Sequence, residues 1–156
     1  MKSLSLFRHA KTERDSNSGR DFDRRLADRG LRDARRMGEE MGKLGLKFDL
    51  VLSCPAARAA ETAELAGLSP RFDQRIYDAS TGDLLAIVQE VDAGVERIAM
   101  IGHNPGFERL ASRLLGDNVE MPTGSLVELE LTVDQWSEAG TGGARLARFL
   151  KPKELD

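Results

Sequence analysis

The chain has 156 residues, of which 40% are apolar and 31% charged, and its formal net charge is −3. Those figures fit one globular domain with its own core, and the acidic balance argues against a nucleic-acid partner. One cysteine excludes an intramolecular disulfide framework and fits a reducing compartment, no apolar stretch reaches the about 20 residues of a membrane span, and "MKSLSLFRHA" lacks the apolar run of a signal peptide, so a cytoplasmic protein without membrane association is expected.

The run "LSLF" (residues 4–7) predicts a buried strand that stops at Arg8 and His9. Residues 10–25 are polar, charged and rich in Asp, Ser and Arg, which predicts a loop. In "LADRGLRDARRMGEEMGKLG", Leu31, Ala34, Met37, Met41 and Leu44 recur at steps of three and four, so one helical face is apolar, and Gly45 suits the stop. "FDLVLSC" predicts a second strand. Pro55 then opens a helix in "PAARAAETAELAG", at the first-turn position proline favours. "RFDQRIYDA" predicts a short strand, and "TGDLLAIVQEVDAG" a helix starting near Thr81 or Asp83. "ERIAMIG" predicts a third strong strand and "NPGFERLASRLLG" a helix. "SLVELELT" and "ARLARFL" predict two antiparallel strands, joined by a turn or short helix and a glycine loop in "VDQWSEAGTGG".

Strands alternating with helices predict an α/β fold with a mainly parallel sheet. Such sheets place ligands beyond the carboxyl ends of their strands. Three strong strands end in "RHA", "SCP" and "GHNPG", so Arg8, His9 and His103 fall on that edge. Arg58 lies one turn into the helix after the second strand. Any one of these alone reads as a structural or solvated side chain. Four converging on one edge point to chemistry. Two arginines can hold a phosphoryl group through forked donors. One neutral imidazole can attack phosphorus, forming a covalent intermediate, while a second donates to the phosphoryl oxygens.

The motifs also carry a family resemblance. "LFRHAK" resembles the Arg-His-Gly signature of the histidine phosphatase superfamily, the phosphoglycerate-mutase-like group. "SCPAARAAETA" resembles its Ser-Pro-x-x-Arg-Ala-x-x-Thr-Ala segment at Pro55, Arg58, Ala59, Thr62 and Ala63, and "IGHNPG" resembles its second-histidine segment. The short length, "RHAK" and "DFDRRLADRG" are similar to the SixA-type phosphohistidine phosphatases. The resemblance implies a single three-layer domain over residues 1–156, with helices on both faces of the central sheet. It implies a metal-independent phosphatase without a cofactor. His9 would be the nucleophile, and Arg8, Arg58 and His103 the phosphate pocket, with Lys11, Thr12 and Arg24 at its rim. The substrate would be phosphohistidine on a signalling protein, such as a histidine phosphotransfer domain, or a small phosphorylated metabolite.

The departures are informative. Ala10 stands for the usual glycine, Cys54 for the serine before Pro55, and Arg25 where the subgroup often has proline. The mutase-like enzymes use an acidic proton donor between the second and third motifs. Here that region reads "RIYDASTGD", where Asp78 is the first candidate and Asp83 the second, unless they cap the helix. Expelling an alkoxide needs a general acid, whereas a phosphoramidate nitrogen leaves more readily. A site without a strong acid therefore leans toward phosphohistidine. The alternatives are a phosphatase for small phosphoesters or phosphoanhydrides and, from another class, a non-catalytic module that docks a phosphohistidine domain. A cysteine phosphatase does not fit, because Cys54 and Arg58 have three intervening residues instead of five. No Walker loop, no dinucleotide glycine motif and no metal-ligand cluster occur in the sequence.

Overall fold

Strands β1 (Lys2–Arg8), β2 (Leu50–Ser53), β3 (Arg71–Phe72), β4 (Arg97–Gly102), β5 (Leu126–Leu131) and β6 (Ala144–Leu150) form one sheet in the order β3-β2-β4-β1-β5-β6. The computed structural model describes residues 1–155, and Asp156, the last residue of the expected domain, lies outside the described residues. The first four strands in that order run parallel, and β5 and β6 are antiparallel additions beside β1. The fold is a single mostly parallel α/β sheet with two antiparallel strands added at one side.

The sequence pattern explains which strands are central. In β4, Ile98, Ala99, Met100 and Ile101 are all fully buried, as a strand covered on both faces requires. β1 buries Leu4, Leu6 and Phe7 in the same way. Each fully buried Leu or Phe contributes about 1.5–3 kcal/mol relative to exposure. β6, at one edge, keeps Arg145, Leu146 and Ala147 exposed.

The helices are α1 (Asp28–Lys43), α2 (Ala57–Leu65), α3 (Thr81–Gln89) and α4 (Gly106–Leu115). The steps β1 to β2 and β2 to β3 both move toward the β3 edge, and β3 to β4 moves back. Parallel crossovers are right-handed, so α1 and α2 share one face and α3 takes the other. The packing agrees: α1 lies on α2, and α3 on α4. α1 turns Ala34, Met37 and Met41 inward, as its apolar stripe predicts. At Gly30 the approach is closest, since a Cβ there would lie 2.0 Å from the Lys11 carbonyl oxygen. None of the described helices is long and apolar enough to cross a membrane.

Two local expectations need correction, and the start of α3 near Thr81 is as expected. Pro55 precedes the N-cap residue Ala56, so it ends the strand connection and is not in the helix's first turn. The "RFDQRIYDA" strand is only two residues long, because a 3₁₀ turn at Gln74–Ile76, capped by the Asp73 side chain, follows at once. α3 is capped by Ser80, whose side chain accepts from Asp83 N–H while the Asp83 carboxylate accepts from Ser80 N–H. Asp83 is thus half of a capping box.

Candidate active site

His9 follows β1 directly and is held on both sides by backbone. Its N–H donates to Gly102 O and its carbonyl accepts from Gly124 N–H, each at 2.9 Å. Arg8 pairs in register with Gly102 on β4, so His103 occupies the matching position on the adjacent parallel strand. The chain leaves β1 toward α1 on one face and β4 toward α4 on the other. The two histidines therefore stand at a topological switch point, where such sheets hold ligands.

Here a cavity of about 410 Å³ opens. Eight of the residues singled out in the sequence line it, Arg8, His9, Lys11, Thr12, Arg24, Arg58, Asp78 and His103, while Asp83, the second proton-donor candidate, does not. Four others line it that sequence reasoning missed: Asp21, Asn104, Pro105 and Thr123. Asn104 and Pro105 had a signal, because they follow a strand-end histidine in "GHNPG". Asp21 also had a signal, because it opens the quoted "DFDRRLADRG" segment, while Thr123 had none, since it sits in a turn with no periodicity.

Both imidazoles are oriented alike. His9 Nδ1 lies 2.8 Å from Ala10 O, and His103 Nδ1 lies 2.7 Å from Asn104 O. A carbonyl oxygen only accepts, so each Nδ1 carries a proton and each Nε2 is the ring nitrogen left for chemistry in the cavity. The Ala10 peptide is fixed in turn: its N–H donates to Thr62 Oγ1 at 3.1 Å, and that hydroxyl donates to Arg58 O at 2.8 Å. The Cβ of Ala10 is accommodated because Ala10 packs, fully buried, against Leu26 and Ala34. His9 is 8% exposed. Burial, then the charges of Arg58, Arg8 and His103, pull its pKa down to about 4 against the opposing bond to Ala10 O, so the ring is neutral at physiological pH.

Arg58 is buried and tied to Asp21 by both terminal nitrogens: Nη1 donates to the Asp21 carbonyl at 2.8 Å and Nη2 to Oδ2 at 3.0 Å. Tyr77 O–H donates to the same Oδ2 at 2.8 Å, and Arg24 Nη1 donates to Oδ1 at 3.0 Å. Desolvation raises the Asp21 pKa, but the bonds from Tyr77 and Arg24 and the Arg58 charge outweigh it and hold the carboxyl at about 2. Asp21 is therefore an anion with no proton to give. Arg24 also ties the loop together, donating to Thr12 Oγ1 at 2.6 Å and to Glu13 O at 3.0 Å.

Asp78 lies at the rim, exposed, with φ of 54°. Among the described residues no group donates to its carboxylate, so it does not cap α3. Burial lowers the proton affinity of Arg8, and the charge of Glu108 opposes that shift. Cys54 does not line the cavity; it is buried, and burial pushes its thiol pKa up.

The family model of the histidine phosphatase superfamily (branch 1) matches residues 4–99 of the chain. The chain belongs to this superfamily. As a histidine phosphatase it is similar, at 25% identity, to a protein assigned as the phosphohistidine phosphatase SixA of Nakamurella multipartitia, with a TM-score of 0.84 over 97% of this chain and 96% of that one. A protein given the same assignment in Agrobacterium tumefaciens superimposes with a TM-score of 0.83 at 25% identity, over 97% of this chain and 98% of that one. An uncharacterised chloroplastic protein of Arabidopsis thaliana is 30% identical, over 96% of this chain and 77% of its own length. Membership and these neighbours support a phosphatase.

Proposed function

We propose that this histidine phosphatase removes phosphoryl groups from phosphohistidine on a signalling protein, without a metal ion, in two displacements at His9. In the first, the His9 Nε2 lone pair attacks phosphorus, the bond from phosphorus to the substrate's imidazole nitrogen breaks, and that nitrogen keeps the electron pair and takes a proton from solvent. In the second, water attacks phospho-His9, loses a proton, and releases inorganic phosphate and free His9. Arg8, Arg58 and His103 hold the phosphoryl oxygens, His103 by taking a proton on Nε2 as the anion binds, with Nδ1–H still on Asn104 O, and donating it to an oxygen; Lys11, Thr12 and Arg24 form the rim.

The observation that carries this proposal is the contrast between base and acid. His9 is neutral, with Nδ1–H fixed to Ala10 O and Nε2 free. The two carboxylates at the cavity are an anion locked to arginine, Asp21, and an exposed rim residue, Asp78. A site so equipped suits a leaving group that needs little help from a protein acid, as a phosphoramidate nitrogen does. A second reading, a phosphatase for small phosphoesters, draws on Asp78. A non-glycine residue held in the left-handed region at a site rim is a mark of local strain kept for function.

The test is turnover by the purified protein without added metal, on a histidine-phosphorylated carrier domain and on a panel of small phosphoesters, each beside His9→Ala and Asp78→Asn. Fast loss of phosphohistidine that vanishes in His9→Ala and survives Asp78→Asn is expected. Faster ester turnover that collapses in Asp78→Asn would move the assignment to the second reading. Tight binding of the phosphorylated domain without His9-dependent turnover would leave a docking module.

A further inference from the structure

We propose that Glu108 is a positioning residue that sets both the tautomer of His103 and the place of Arg8, acting through Asn104 and Met121. This rests on the proposal that Arg8 and His103 bind phosphoryl oxygens. Glu108 is in the first turn of α4 and does not line the cavity. Its carboxylate oxygen Oε1 accepts from Asn104 Nδ2 at 2.9 Å and from Met121 N–H at 3.1 Å. Asn104 Nδ2 also donates to Met121 O at 2.9 Å, and Asn104 Oδ1 accepts from Glu108 N–H at 3.2 Å. The three residues thus close a ring in which the Asn104 amide is bonded at both ends.

Two outputs leave this ring. The Met121 carbonyl accepts from Arg8 Nη1 at 2.7 Å. Arg8 Nε is buried with no partner among the described residues, so the Met121 peptide is the chain's hold on that guanidinium. The Asn104 backbone carbonyl accepts from His103 Nδ1. With Asn104 pinned, that carbonyl stays in place, Nδ1–H is held, and Nε2 is the nitrogen that takes a proton and donates it to a phosphoryl oxygen. The residues 116–125 that carry Met121 form no helix or strand, so its position depends on such bonds. Glu108 also brings a negative charge toward the site, which by itself opposes anion binding. Bonding and charge therefore predict opposite effects, which makes the role separable.

The experiment compares wild type, Glu108→Ala and Glu108→Gln. Orthovanadate affinity is measured by titration, and the His103 tautomer by nitrogen-15 NMR of the imidazole. Glutamine keeps an oxygen acceptor and removes the charge. Expected for Glu108→Ala is a loss of orthovanadate affinity of about tenfold or more, as for a lost buried hydrogen-bond partner, with loss of the single Nδ1–H tautomer. Expected for Glu108→Gln is an unchanged tautomer with affinity equal to wild type or higher. If both variants bind orthovanadate as well as wild type and keep the tautomer, the proposal is overturned and Glu108 is only a helix-end charge. If Glu108→Ala does not fold, Asn104→Ala opens the same ring from its other side and carries the same expectations. If wild type neither binds orthovanadate nor shows His9-dependent turnover, the proposed function fails on its own. The His103 tautomer then still decides for Glu108 by its loss in the alanine variant, or against it by its retention.

Discussion

A histidine free in water titrates near 6.5, but His9 is held at about 4 by burial and by its cationic neighbours. Between those values the unfolded chain takes up a proton that the native ring refuses. The native state therefore loses stability as pH falls from 6.5 toward 4, by up to about 3 kcal/mol, and the effect is absent above that window. The expected result is a His9 ring resonance with its midpoint near 4, and a pH slope of urea-unfolding stability that shrinks in His9→Ala. A midpoint at the ordinary histidine value would show that the ring is not desolvated. At this scale the sequence was legible where the cavity coincides with strand ends, as for Arg8, His9 and His103. Asp21 was not. It opens the "DFDRRLADRG" segment that carries the resemblance, but its role there was not legible, because only the tertiary contact with Arg58 and Tyr77 separates it from Asp15 and Asp23.

Among the elements, α1 does more than cover the sheet. Its first turn abuts the residues after His9: Ala27 N–H donates to Lys11 O at 2.9 Å, and Gly30 lets the helix lie against that same carbonyl. Thr12 forms an isolated bridge with Leu26 nearby. The Gly30→Ala substitution would place a Cβ 2.0 Å from a backbone oxygen, a contact that cannot stand. Relief by moving Lys11 and Thr12 is expected to cost about 1–3 kcal/mol in urea unfolding, as overpacking does, and to weaken orthovanadate binding in parallel. Unchanged stability and binding would show that α1 does not brace the cavity rim. Helices with a clear apolar stripe, such as α1 and α4, were legible from periodicity. The start of α2 was not, because proline suits positions on both sides of a helix's first residue and only the tertiary path selects one. β3 was overestimated because Phe72 and Ile76 would fall on one face of an extended run, while Asp73 caps a 3₁₀ turn instead.

For the whole molecule, the mainly parallel sheet was legible because parallel strands covered on both faces read as unbroken apolar runs. The strand order was not legible in the residues themselves. β4 lies between β1 and β2, and a crossover helix has much the same length whether its strands are neighbours or one apart. Charge shows the same split between global and local. The chain carries −3 overall, yet its cavity gathers Arg8, Lys11, Arg24 and Arg58 against Asp21 and Asp78. Nearby charges dominate within a Debye length, about 8 Å at physiological ionic strength. Added salt is therefore expected to lower kcat/KM for an anionic phosphorylated substrate despite the acidic net charge. A rise with salt would mean that the overall field governs encounter.

The register of β1 against β4 carries one more consequence. His9 and His103 stand opposite each other just past the last rung of the β1–β4 ladder, and the spacing between those strands is about 4.8 Å. The distance from one ring's backbone to the other's is thus a lattice constant of the sheet. No side-chain substitution in the core can tune it gradually, since strands slip only by whole residues. Selectivity among phosphorylated substrates has to be adjusted elsewhere, in the irregular segments that hang over the edge. The sheet works as a ruler, and the loops decide what is laid against it.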